Sequence, residues 1–138
     1  MTDPTEEWRH AFQDLQVRLL KSGALDLEAL CARRDDPSTA AAEAWAEMQG
    51  SAILVLVYAG NLVYPAFQFT DTGDLRPELA SHVTVLRDAG LSPWMTWAGL
   101  TAPAALLSGD VPEKLLVTDP RRAGRAVQRY ADQHRVEK

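Results

Sequence analysis

Few residues in this sequence are of a type that does covalent chemistry, and those few are scattered. His10, His82 and His134 lie far apart, and none has another His, Cys or acid at a spacing that would hold a metal ion. Cys31 is the only cysteine, which excludes an intramolecular disulfide and a cysteine-based zinc site. Placed between Leu30 and Ala32 in an expected helix, it reads as a packing thiol. The neighbouring acids Asp35 and Asp36 imitate a paired-carboxylate site, but directly before Pro37 they suit helix capping better. There is no G-x-S-x-G elbow, no phosphate-cradling glycine loop and no H-E-x-x-H motif. The expectation is a protein that binds rather than catalyses, with no cofactor and no metal.

Arginine supplies the other chemistry. Residues 120–138 hold six Lys or Arg against two acids, whereas residues 1–119 hold eight against seventeen. An acidic body of net charge −9 thus carries a basic tail of net charge +4. At about 100° per residue, Ala123, Val127 and Tyr130 share one face of a C-terminal helix, and Arg122, Arg125 and Arg129 gather on an adjacent one. Guanidinium groups bind carboxylates bidentately, which suits docking on a polar pocket of a partner protein. The other reading of the stripe is a solvated face whose charges complement the helix dipole.

The elements that must position these groups follow from capping and periodicity. Asp3, Pro4 and Glu6 form a helix start, and Trp8, Phe12, Leu15 and Leu19 make one apolar stripe up to Gly23. A second helix spans about 26–34; a third, capped by Asp36 with Pro37 at its first position, runs to about Gln49. Ile53–Tyr58, a Gly60-Asn61 turn and Leu62–Phe69 predict a β-hairpin, with Pro65 confining its strand to a sheet edge. The run Ile53–Tyr58 lacks polar alternation and expects cover on both faces, from this chain or across a dimer seam. Helices follow over about 77–89, from Ser92-Pro93, and from Asp119-Pro120 to about His134. Between them are short turns around Pro103, Gly109 and Pro112, anchored by Leu106, Leu107, Leu115 and Leu116. The fold class predicted is mainly α with a β-hairpin: a degenerate helix-turn-helix, then the hairpin, then a small C-terminal helical bundle. Residues 1–50 and 51–138 form its two parts, packed as one unit. The core expected comprises Trp45, Met48, Val55, Val57, Phe67, Phe69, Leu79, Val83, Leu86, Trp97 and Leu100.

Residues 26–50 with the hairpin outline a helix-turn-helix with a wing, an arrangement that in other proteins reads DNA. The side chains argue against that use. The later helix of this pair carries Ala40, Ala41, Ala42, Glu43, Ala44 and Glu47 without any Lys or Arg, and only Arg33 and Arg34 in the preceding turn stand ready for phosphate. The longest apolar run, Ala52–Ala59, is far shorter than the roughly 20 residues that cross a bilayer. Met1–Arg9 is acidic and polar, unlike a secretory leader, so a cytoplasmic protein is expected.

The segment Tyr64–Ala131 resembles the toxin-binding domain of the Xre/MbcA/ParS-like antitoxins. The residues that carry the likeness are Tyr64-Pro65-Ala66-Phe67-Gln68-Phe69, Gly73, Ser92-Pro93-Trp94, and Leu106-Leu107-Ser108-Gly109-Asp110-Val111-Pro112-Glu113-Lys114-Leu115-Leu116. Pro103-Ala104 stands where that family often has Pro-Asn, and Val111 where it often has a basic residue. The resemblance implies the antitoxin of a type II toxin–antitoxin system, neutralising a RES-domain toxin by covering its NAD-consuming active site, as a homodimer or hetero-oligomer. Arg122, Arg125, Arg129 and Lys114 are then the candidate polar anchors and Trp94 the candidate apolar one. A DNA-binding repressor, relying on Arg33 and Arg34, and an adaptor without DNA binding are the alternatives.

Overall fold

The structure, a computed structural model, describes residues 4–135. Helix α1 (Pro4–Ser22) lays Leu19 into the core and half-buries Phe12 and Leu15 against Leu54, Leu56, Trp94 and Trp97. The fourth member of the stripe, Trp8, overhangs the core at 67% exposed and stacks flat on Phe12 at 5.4 Å. Asp3, the expected cap, lies outside the described residues. Strand β1 (Ala24–Leu25) follows at once, and α2 (Leu27–Arg34) opens where the Asp26 carboxylate accepts from the Ala29 amide at 2.8 Å.

Helix α3 (Thr39–Met48) starts later than expected. The Ser38 hydroxyl, not Asp36, caps it, accepting from the Ala41 amide at 3.1 Å. Asp36 is engaged elsewhere, accepting from Arg34 Nε at 3.0 Å.

The hairpin joins β2 (Leu56–Tyr58) to β3 (Asn61–Pro65), with Tyr58 opposite Asn61. Its two-residue turn is Ala59-Gly60, one position before the expected Gly60-Asn61. Both residues take positive φ, 51° and 80°, as a type I′ turn requires. The sheet is antiparallel in the order β1-β3-β2, so Pro65 belongs to the central strand and not to an edge. It is tolerated because it ends that strand. Backbone groups alternate sides along a strand, and the Pro65 nitrogen turns toward β2 after β2 has left the sheet. Ala66, the next residue, donates to Gly23 O at 3.0 Å on the other side.

The run Ile53–Tyr58 divides by burial. Ile53, Leu54 and Leu56 are covered within the chain, while Val57 (64%) and Tyr58 are exposed. Val57 is therefore not core, and neither is Met48, which faces outward at 82% exposed. Phe69, Leu79, Val83, Leu86, Trp97 and Leu100 are buried as expected.

The C-terminal bundle comprises α4 (Ala80–Asp88), α5 (Pro93–Thr101), α6 (Pro112–Leu115) and α7 (Pro120–His134). Val83 and Leu86 of α4, Leu100 of α5, and Val127 and Ala131 of α7 form one cluster. A buried leucine or valine is worth about 1.5–3 kcal/mol, so this cluster fixes how the three helices cross. Phe67, just after β3, touches this cluster and those beneath α1 and beside α6, at the junction of hairpin and bundle. Arg76 adds polar ties there, donating to Phe67 O at 3.1 Å and to the Glu113 carboxylate at 2.5 Å.

Candidate partner-binding groove

Helix α7 is held at its start by the Asp119 carboxylate, which accepts from the Arg122 amide at 3.3 Å, with Pro120 at its first position. Ala123, Ala126, Val127 and Ala131 bury one face of it. Small residues at three of these positions bring the helix axis close to α4 and α5. Arg121, Arg125 and Arg129 stand exposed on the opposite side and form no ion pair among the described residues. Arg122 is half-buried and lies 3.9 Å from Asp119.

Beside this edge lies a groove of about 460 Å³ between the end of α5, the short turn Ala105–Leu107 and α7. Pro103, Leu106 and Pro112 line one wall, Arg129 and Tyr130 the other, and Gly99 the floor. Tyr130 is fixed there because its hydroxyl donates to Met95 O at 2.8 Å, and burial raises its phenol above the ordinary range. Leu106, expected as an inward anchor, is 42% exposed at the groove, whereas its neighbour Leu107 is fully buried. The arrangement offers an apolar trough rimmed by a guanidinium, the combination by which an interface joins desolvated area to a directional polar contact.

The structure gathers some of the expected anchors and disperses others. Arg129 lines the groove and Arg125 stands one turn before it on the same edge. Lys114 is exposed on α6 outside the groove lining. Trp94 is in the core, stacked on Trp97 at 5.8 Å and edge-on to Phe12 and Tyr58, so it supplies no exposed apolar anchor. Leu106, exposed at the groove, is the apolar candidate there. Sequence reading also missed Gly99; a glycine inside a helix is its own signal, since it costs about 1 kcal/mol and usually answers a packing demand.

On the helix-turn-helix side, Arg33 is exposed but Arg34 is committed. Its guanidinium pairs with Asp36 and Asp74, donates to Gly73 O at 3.1 Å, and lies 3.6 Å above the Trp45 ring centroid. Among the described residues no three His, Cys, Asp or Glu side chains gather as a metal site, and no helix is long and apolar enough to cross a membrane. Cys31 is half-buried, its thiol 3.4 Å from Asp36 O.

No family model matches the chain, and neither does any curated protein. Among solved structures, the NMR structure of Rv2175c is similar, with a TM-score of 0.56 over 80% of each chain at 20% identity. At that identity the likeness shows a shared fold over most of the chain.

Proposed function

We propose that this chain is an antitoxin-type binding protein that lays the arginine edge of α7 and the adjoining groove over a RES-type toxin and keeps NAD from its active site. The observation that carries the reading is where the arginines stand. Arg121 and Arg122 occupy the first turn of α7, where the helix dipole disfavours cations by about 0.3–1 kcal/mol each, and of the two only Arg122 has an acid within ion-pair distance among the described residues, Asp119 at 3.9 Å. Helix stability therefore does not explain them, and the dipole accounts only for His134 at the other end. The exposed guanidinium groups of Arg121, Arg125 and Arg129, without an ion pair among the described residues and the last of them lining the apolar trough, suit an acidic partner surface. The resemblance of Tyr64–Ala131 to antitoxin toxin-binding domains supports a RES-type toxin as that partner.

Co-purification with the product of the adjacent gene, followed by an NAD-consumption assay of that product, tests the proposal. Stoichiometric loss of NAD turnover is expected; two proteins that neither associate nor affect turnover would refute it for that pair.

The helix-turn-helix-like pair favours a second reading, operator binding. It predicts duplex affinity that falls steeply with salt and depends on Arg33, since Arg34 is sequestered within the fold.

A further inference from the structure

The acidic later helix of the helix-turn-helix-like pair, out of place in a DNA reader, builds a site of its own. Glu43, Ala46, Glu47 and Gly50 recur on one side of α3 and its end, at the spacing that aligns side chains on a helix face. Together with Val55 and Tyr64 they line a pocket of about 250 Å³. Its floor is apolar and its rim holds two carboxylates, neither of which forms an ion pair among the described residues. Glu43 is half-buried and Glu47 exposed.

Tyr64 is the second observation. It is only 2% exposed, yet its hydroxyl makes no hydrogen bond among the described residues, although the ring lines this pocket. No buried side-chain nitrogen or oxygen among the described residues lacks a partner, so this oxygen, unlike the rest of the side chain, is open to solvent at the pocket, where a ligand's donor can reach it. Burial first, and then the negative charges of Glu43 and Glu47, raise its phenol above the ordinary range. The phenol therefore stays neutral, with its oxygen free to accept.

We infer that this pocket is a binding site for a guanidinium group, presented as an arginine side chain by a partner protein. Two carboxylates and a phenol oxygen supply acceptors for the several N–H donors of a planar guanidinium. The apolar floor suits its weakly hydrated faces better than it suits a compact ammonium. The net charge of −9 over residues 1–119 favours the approach of a basic chain. A second copy could offer its α7 arginines, reciprocally about a two-fold axis or head-to-tail; the occupant is assigned to a different chain, and self-association is the contrary outcome of the test. The site is separate from the α7 groove and stands or falls without it.

The test is a two-dimensional NMR titration of the full chain with N-acetyl-arginine methylamide, and with its neutral isostere N-acetyl-citrulline methylamide. The arginine probe is expected to bind at about millimolar affinity, shifting resonances of Glu43, Glu47 and Tyr64, while the citrulline probe leaves them in place. Glu43→Gln with Glu47→Gln abolishes the shifts. Tyr64→Phe, which removes a hydroxyl the fold does not use, weakens binding several-fold without lowering the melting temperature. Absent shifts, equal shifts with citrulline, or shifts that survive the double Gln variant would overturn the site. Concentration-dependent dimers in sedimentation that Arg125→Glu dissociates would overturn the assignment to a different chain.

Discussion

Gln68 sits 1% exposed after β3, with its side-chain amide closing a ring on Leu54: Oε1 accepts from Leu54 N at 2.8 Å and Nε2 donates to Leu54 O at 2.7 Å. The amide replaces the ladder bonds that Pro65 cannot continue. Gln68→Leu keeps the volume but leaves both backbone groups unpaired, and is expected to cost about 2–4 kcal/mol, read as a lower urea midpoint at unchanged slope. His82 gives a pH-dependent counterpart. It is half-buried, facing Gly124 of α7, and burial lowers its pKa below the ordinary value of about 6.5. The unfolded chain therefore binds this proton more readily. Stability from the neutral ring is full above about pH 6.5 and is lost as pH falls through the lowered value. Melting curves between pH 7.5 and 5 should show this loss, and His82→Gln should flatten it; an unchanged slope would contradict the assignment. Neither role was legible in the sequence. Gln68 reads there as one letter of a motif, and His82 as a scattered histidine outside any metal spacing, because both depend on partners 14 or more residues away.

Capping residues were the most legible elements, since their chemistry is local. Asp119 caps the final helix as expected, and the helices expected to start at Asp26 and at Ser92-Pro93 open there, with Asp26 and Ser92 as their caps. Asp36 was read as a cap because it precedes Pro37, but Arg34 claims it through a contact sequence does not display. Strand β1 went unread because two residues carry no periodicity; its pairing is decided by where α1 ends and β3 passes. The arginine stripe of α7 was visible in outline, whereas the groove was not, because its walls come from three separated segments. Gly99 is the element-scale test of that groove. A β-carbon there would stand 2.3 Å from Tyr130 Cε1, so Gly99→Ala should displace the ring from Met95 O. The expected cost is about 1–3 kcal/mol by thermal melt, with partner affinity reduced as the floor deforms.

Across the whole molecule, polar ties hold the hairpin region to the bundle. Arg87 Nη2 donates to Ile53 O at 3.2 Å, and the largely buried Arg76–Glu113 pair joins the segment after the hairpin to α6. Arg76→Met strands the Glu113 carboxylate and should cost about 3 kcal/mol in a urea melt, through a transition that remains single if the parts unfold together. The fold class and the charge asymmetry were readable because patterning and composition are properties of the chain itself. Which surface meets a partner depends on which arginines the fold leaves unpaired. The most direct measurement of that central claim is the calorimetric affinity for the adjacent-gene product of the wild type and of Arg125→Glu with Arg129→Glu, with melting temperatures in parallel. The account predicts binding weakened by at least about tenfold, with the melting temperature held. Equal affinity of the two proteins would contradict it.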